Sequence, residues 1–139
     1  MGNIVAIHTD GGSRGNPGPA ACAFVAEEDG VVVHKAAFYL GKATNNVAEY
    51  TGVIKALDWI LSSGGKFTKK EIVFYLDSEL IVRQILGIYR VKDLKLKSLY
   101  DEVTSLIKKT TLVINFKNIP REKNKEADYL LNKELDSNA

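Results

Sequence analysis

The positions of hydrophobic and polar residues along this chain predict five strands and four helices. Strand patterns, alternating or continuously apolar, cover residues 4–9, 20–26, 31–40, 72–76 and 112–116. Helical spacing of apolar residues covers 44–61, 80–86, 94–109 and 124–135, and the last helix is expected to bury Ala127, Leu130, Leu131 and Leu135. Three strands in succession, followed by strands that alternate with helices, predict an α/β fold: a five-stranded mixed β-sheet flanked by α-helices.

Residues 11–19 are rich in glycine and proline and follow the first predicted strand, which predicts a wide loop. The segment lacks the Gly-x-Gly-x-x-Gly spacing of dinucleotide sites and the Gly-Lys-Ser/Thr ending of P-loops, so both classes are excluded. Two interpretations stay open. The segment is either an ordinary turn or a place where glycines let the backbone approach a sugar–phosphate chain closely.

The composition of the 139 residues limits the chemistry further. Cys22 is the single cysteine, so an intramolecular disulfide and a cysteine zinc cluster are excluded, and two histidines, His8 and His34, exclude a histidine-rich metal site. We expect Cys22 to be a small buried hydrophobe and His8 to be a core residue. The net charge of +2 is weak support for a nucleic-acid partner.

No internal repeat or long polar linker divides the sequence, which predicts one domain over residues 1–139. The amino-terminal residues lack a signal-peptide pattern, and no apolar run approaches the ~20 residues that cross a bilayer. We therefore expect a cytoplasmic protein with no membrane partner, and a monomer.

Four acidic residues occupy positions that the predicted elements would bring together. Asp10 ends the first predicted strand and Asp77 ends the fourth, whereas Glu49 and Asp128 lie in the first turns of the first and last helices. Ligands of open α/β sheets bind beyond the carboxyl ends of the strands, and parallel pairing of these two strands would bring Asp10 and Asp77 face to face. Clustered carboxylates need a cation, and oxygen ligands favour Mg²⁺ or Mn²⁺. Two such ions about 4 Å apart would clamp the attacking and leaving oxygens of a phosphodiester.

Each acid also has a structural interpretation, and the individual residues leave it open. Glu49 fits a capping box with Asn46, and Asp77 fits a cap of the following helix. Asp128 fits a solvated acid near a helix start, and Asp10 fits a turn residue before Gly-Gly.

Four sequence blocks, in order and spanning nearly the whole chain, resemble the motifs of the type 1 ribonuclease H family. They are TDGGSRGNPGPA at 9–20, TNNVAEY at 44–50, DSELIV at 77–82 and NKEAD at 124–128. The resemblance implies a ribonuclease H fold and an endoribonuclease that hydrolyses the RNA strand of RNA–DNA hybrids, leaving 5′-phosphate and 3′-hydroxyl ends. It also implies two Mg²⁺ ions, with Mn²⁺ as a substitute. Asp10 would bridge both ions, Glu49 and Asp77 would complete one site, and Asp128 the other.

The resemblance further implies a substrate surface that faces the minor groove, where 2′-hydroxyls distinguish RNA from DNA. Glu49 would contact the 2′-hydroxyl at the cut, and Thr44 with Asn16 would bind a phosphate of the DNA strand. The implied substrate-binding residues are Gly11, Gly12, Ser13, Arg14, Asn16, Thr44, Asn45, Asn46, Ser78, Arg121 and Asn124.

The chain departs from the family pattern in two places. Many members carry a histidine in a mobile loop before the last aspartate, but residues 119–124 contain none, so Arg121 or Glu122 is expected to act in its place. The long basic helix of some members is missing, and the four cations between residues 90 and 97 either contact phosphates or form a solvated face. No separate hybrid-binding module precedes Asp10, so we expect modest, salt-dependent affinity.

Three alternative functions stay open at this point. The enzyme could also, or instead, cleave double-stranded RNA or RNA–DNA junctions. A resolvase or transposase would share the fold, but those enzymes usually carry extra DNA-binding domains. A non-catalytic nucleic-acid-binding module is the third alternative, and the four carboxylates argue against it.

Overall fold

In residues 3–68 and 70–139, which a computed structural model describes, the chain forms five strands and four helices, as predicted. The strands are β1 (Ile4–Ser13), β2 (Gly18–Glu28), β3 (Val31–Ala43), β4 (Glu71–Leu76) and β5 (Val113–Asn118). The helices are α1 (Asn45–Leu61), α2 (Glu79–Ile85), α3 (Leu94–Lys108) and α4 (Lys125–Ser137), and a 3-10 turn covers Arg121–Lys123. None of these helices is long and apolar enough to span a bilayer.

The five strands form one mixed sheet in the order β3-β2-β1-β4-β5. The strands β1, β2 and β3 pair antiparallel, whereas β4 runs parallel to both β1 and β5. The sequence prediction of a mixed sheet is confirmed, including the parallel β1–β4 pair that would bring Asp10 and Asp77 together.

The glycine-rich segment is mostly strand, so the prediction of a wide loop over residues 11–19 is wrong. β1 continues past Thr9 to Ser13, and Gly11 pairs with Cys22 of β2. The connection between β1 and β2 is reduced to residues 14–17. Pairing with the antiparallel strand β2 extends the sheet through these glycines, although the local sequence favours a turn.

The larger part of the core lies between the sheet and the pair α1 and α3. Ile7 of β1, Leu57 of α1 and Phe74 of β4 are almost completely buried there. Burial of each such side chain stabilises the fold by about 1.5–3 kcal/mol. This packing presses α1 against β1 and fixes the position of the first turns of that helix.

The opposite face of the sheet is covered by α4. Leu131 and Leu135 pack against Ala21 and Ala23 of β2, whose small side chains let the helix approach closely. Leu130 was predicted to be buried but is only partly so, because it lies at the flank of this contact. The central position of Leu131 brings the polar side of α4 to the end of β1.

Cys22 of β2 is a core residue, as predicted, whereas His8 of β1 is only half-buried. Cys22 is fully buried, and burial raises the pKa of its thiol to about 12. The half-buried ring of His8 stacks on Tyr75 with a centroid distance of 5.0 Å. Burial lowers the pKa of His8, which favours its neutral form.

Candidate functional site

The acidic residues gather where β1 loses its parallel neighbour. β1 pairs with β4 from Ile4 to His8, but it stays paired with β2 as far as Ser13. Asp77 immediately follows β4. The part of β1 beyond His8 is therefore open on the side that Asp77 reaches, and Asp10 lies in that part.

Glu49 reaches the same place because α1 packs directly against the backbone of β1. A Cβ atom on Gly11 would lie 2.3 Å from the backbone carbonyl of Ala48, so only glycine permits this approach. The N–H of Gly11 donates to Glu49 Oε1 at 2.9 Å and to Asp10 Oδ1 at 2.9 Å. One backbone donor thus holds two of the predicted carboxylates. The close approach that Gly11 permits is therefore that of helix α1 to strand β1.

Asp10, Glu49 and Asp77 form one group in which each residue offers a carboxylate oxygen within 4.8 Å of the others. Asp10 and Glu49 are each 6% exposed, and Asp77 is half-buried. Burial, together with the charge of Asp77, raises the pKa of Asp10 to about 7. Burial, together with the charge of Asp10, raises the pKa of Glu49 well above its usual range.

This group fits a divalent cation. Glu49 Oε2 is buried and has no hydrogen-bond partner among the described residues. The available ligand atoms are carboxylate oxygens, which hard ions such as Mg²⁺ and Mn²⁺ prefer. A bound cation would supply the missing partner and remove the repulsion that raises both pKa values.

Two of the structural interpretations are excluded by the helix caps. Thr44 is the N-cap of α1, so Glu49 is not part of a capping box, and its side chain is free to bond β1. Ser78 is the N-cap of α2, so Asp77 does not cap that helix. Asp10 lies inside β1, which excludes the turn interpretation as well.

The amide of Asn124 orients the carboxylate of Asp77. Asn124 is 1% exposed, and its Nδ2 donates to the carbonyl oxygen of Thr9 at 2.8 Å and to Asp77 Oδ2 at 3.2 Å. Both acceptors are negative or partly negative, so the amide nitrogen must face them. Asn124 therefore helps to position the acidic group. A direct contact between this residue and the substrate stays a prediction.

The acidic group opens into a cleft of about 430 Å³. Asp128 is exposed on α4 and lines this cleft, but it is not part of the three-carboxylate group. The other predicted substrate-binding residues that line the cleft are Gly11, Gly12, Ser13, Arg14, Asn45, Asn46, Ser78 and Arg121.

Three predicted substrate-binding residues are absent from the cleft lining in the described part of the chain: Asn16, Thr44 and Asn124. The side chain of Asn16 accepts a hydrogen bond from the backbone N–H of Asn45 at 2.9 Å, and the hydroxyl of Thr44 caps α1. Asn45 Oδ1 in turn accepts from the N–H and the hydroxyl of Ser13, at 2.8 and 3.1 Å. These bonds join the end of β1, the β1–β2 connection and the start of α1 into one wall.

Of the two residues expected to act in place of a loop histidine, Arg121 lines the cleft. Glu122 is not among its described lining residues. Both belong to the 3-10 turn that leads into α4. The structure thus favours Arg121 for that position.

Asn132 is a cleft residue that the sequence analysis missed. Its Nδ2 donates to the backbone carbonyl of Asp128 at 2.9 Å and to Asp128 Oδ1 at 3.2 Å. The spacing of four residues from Asp128 places both on one face of α4 and was the available signal. Leu131 and Leu135 also line the cleft, but their apolar pattern predicted only a core position.

The family model described as Reverse transcriptase-like matches residues 8–134 of this chain. A bifunctional protein of Mycobacterium tuberculosis is 39% identical over 137 residues, which are 97% of this chain and 36% of that protein. Ribonuclease HI of Halobacterium salinarum is 34% identical over 141 residues, covering 97% of this chain and 66% of that enzyme. The chain therefore spans about a third of the mycobacterial relative and about two thirds of the halobacterial one.

The solved structures with similar folds include LC11-RNase H1, a protein isolated from compost. It is 42% identical, with a TM-score of 0.93 and 97% coverage of both chains. The same protein in complex with an RNA/DNA hybrid is 41% identical, with a TM-score of 0.91, covering 96% of this chain and 97% of that one. These similarities cover nearly the whole of this chain.

Proposed function

Because the chain belongs to the type 1 ribonuclease H family, we propose that it is an endoribonuclease that hydrolyses the RNA strand of RNA–DNA hybrids. The observation that carries the proposal is the group of three carboxylates, two of them buried, that lines an open cleft. The complex of LC11-RNase H1 with an RNA/DNA hybrid supports the choice of substrate.

Four carboxylates would hold two Mg²⁺ ions, with Mn²⁺ as a substitute. Asp10 would bridge both ions, Glu49 and Asp77 would complete one site, and Asp128 would complete the other. Bound ions supply an activated water and stabilise the charge that develops on the phosphate. The buried, unpartnered oxygen of Glu49 and the all-oxygen ligand set support this assignment.

The protein arranges these ligands before any substrate binds. Gly11 N–H holds one oxygen of Asp10 and one of Glu49, and Asn124 holds one oxygen of Asp77. Because these side chains are already restricted, little reorganisation is needed as charge develops during the reaction. Attack of water on phosphorus then breaks the P–O3′ bond, which gives a 5′-phosphate and a 3′-hydroxyl.

The cleft presents neutral hydrogen-bonding groups that suit a minor groove. Asn45, Asn46, Ser13 and Ser78 line it beside the glycines of β1, and 2′-hydroxyls both donate and accept hydrogen bonds. Asn16 and Thr44 lie in the adjoining wall, where they would bind a phosphate of the DNA strand. Arg121 would place a cation near the phosphate that is cut, in place of a loop histidine.

The experiment that tests this proposal is cleavage of a labelled RNA strand presented as a hybrid, as double-stranded RNA and as an RNA–DNA junction. Each substrate is offered with Mg²⁺, with Mn²⁺ and with a chelator. We expect metal-dependent cutting of the hybrid, with products that carry 5′-phosphates. Equal cutting of double-stranded RNA would widen the substrate class. Binding of the hybrid without cutting would contradict the proposal and favour a non-catalytic module.

The monomeric state, the cytoplasmic location and the single-domain organisation stay predictions.

A further inference from the structure

Arg14 lines the cleft, and its guanidinium contacts α4. Its Nη2 lies 2.7 Å from Asp136 Oδ1, and it donates to the backbone carbonyl of Asn132 at 3.3 Å and to Asn132 Oδ1 at 3.4 Å. The backbone N–H of Arg14 donates to the carbonyl of Pro19 at 2.8 Å, which fixes the base of the β1–β2 connection. The guanidinium therefore joins this connection to the second half of α4.

The amide of Asn132 is oriented by a different group at each end. Its oxygen faces the Arg14 guanidinium, while its nitrogen donates to the carboxylate and to the backbone carbonyl of Asp128. A flipped amide would place the NH₂ group against a cation and the oxygen against a carboxylate, which are both repulsive contacts. Arg14 and Asp128 together thus determine the orientation of the Asn132 amide.

Asp128 needs such support more than the other acids do. Asp10 and Glu49 are buried and share the Gly11 N–H, whereas Asp128 is exposed on a helix surface. Among the described residues, Asn132 is the side chain that donates to its carboxylate. An exposed aspartate without that donor would move among several rotamers.

We propose that Arg14 and Asn132 are positioning residues that hold the carboxylate of Asp128 in the cleft, where it would bind a metal ion together with Asp10. The inference rests on the proposed function, because that function assigns Asp128 to a metal site. Exposed ion pairs contribute little to stability, and Arg14 and Asp136 are 45% and 71% exposed. Hydrogen-bond partners of metal ligands, in contrast, commonly change metal affinity by about 10- to 100-fold.

The test compares Arg14→Ala, Asn132→Ala and the double variant with the wild-type protein. Asn138→Ala is a matched control, because Asn138 makes the same two bonds to Glu134 on α4, at 2.9 and 3.2 Å, and does not line the cleft in the described part of the chain. Calorimetry with Mn²⁺, without nucleic acid, measures the affinities of the two ions. Hybrid binding in a chelator, at several salt concentrations, measures direct contacts with the substrate.

We expect each single variant to weaken one Mn²⁺ site by about tenfold and to leave the other unchanged. The double variant should be no worse than either single one, because both residues act through the same carboxylate. Asn132→Ala should leave hybrid affinity in the chelator unchanged, and Asn138→Ala should resemble the wild type.

Two results would overturn the inference. The first is an Arg14→Ala variant that loses hybrid affinity and salt dependence while Asn132→Ala has no effect, since this would make Arg14 a direct phosphate contact. The second is that no Mn²⁺ affinity changes in any variant, whether calorimetry detects one site or two. Failure of the wild-type protein to cleave any hybrid would refute the proposed function instead, and the calorimetric comparison would stand independently.

Discussion

Replacing Asp10 with asparagine should stabilise the metal-free protein at neutral pH. Burial raises the pKa of Asp10 from 3.8 to about 7, so the folded protein keeps a proton that the unfolded chain has lost between these values. The raised pKa of Asp10 therefore does not lower the free energy of unfolding below about pH 4, and it lowers that free energy increasingly as the pH rises toward 7. Asparagine removes the loss because its amide is neutral, and its oxygen can still accept the Gly11 N–H.

The size of the effect follows from the pKa difference between the folded and unfolded states. That difference is about 3, and a difference of 1 corresponds to about 1.4 kcal/mol. Multiplying these two numbers gives about 4 kcal/mol. Because Asp10 and Glu49 share the cost of being charged in one buried group, we expect Asp10→Asn to raise the free energy of unfolding by roughly half to all of that amount, or about 2–4 kcal/mol above pH 7. For a domain of 139 residues, this is a rise in Tm on the order of 10 °C.

Thermal unfolding in a chelator, at about pH 5 and about pH 7.5, measures this stabilisation. The gain for Asp10→Asn should be clearly larger at the higher pH. Asp58→Asn, which removes an exposed acid from α1, is the matched control and should show little effect at either pH. An equal effect of Asp10→Asn at both pH values, or a loss of stability at the higher one, would refute the reasoning.

Four further substitutions, of which Gly12→Ala is a control, test other parts of the site. Gly11→Ala should cost about 3 kcal/mol or more in urea unfolding, because its Cβ would lie 2.3 Å from the backbone of Ala48. Gly12→Ala should cost less than about 1 kcal/mol, since its Cβ would meet no described atom closer than 3.7 Å. Equal costs would contradict the close approach of α1. Asn124→Ala should cost about 1–3 kcal/mol in the same assay because it removes the buried hydrogen bond to the Thr9 carbonyl, and an unchanged midpoint would dismiss this role. Arg121→Ala should lower kcat at least about tenfold with little change in KM, and unchanged turnover would show that Arg121 does not act near the phosphate.

The elements of the fold were predictable because each carries its own hydrophobic period. The helical spacing of α1 and the continuous apolar run of β4 both reflect burial on known faces. The position of Asp77 after β4 was equally predictable, since it depends on where one strand ends. Local patterns of this kind need no information from distant parts of the chain.

The errors arose where contacts between distant residues decide the structure. The glycines of β1 favour a turn locally, but pairing of Gly11 with Cys22 extends the strand. The sequence offered a helix cap over residues 44–46 and a capping box of Asn46 with Glu49. The structure caps α1 at Thr44, and Glu49 instead accepts from the N–H of Gly11 in β1. The Arg14–Asn132 bond joins residues 118 positions apart, so no local pattern could reveal it.

The most direct test of the central claim is a comparison of wild-type protein and Asp10→Asn on one labelled RNA–DNA hybrid. Cleavage is measured under single-turnover conditions with Mg²⁺, and hybrid binding is measured in parallel. The account predicts cleavage by the wild type and a loss of at least about 10³-fold in the variant, with hybrid binding retained, because the variant lacks the carboxylate assigned to both ions. Cleavage by Asp10→Asn at the wild-type rate, or hybrid binding without any cleavage by the wild type, would contradict it.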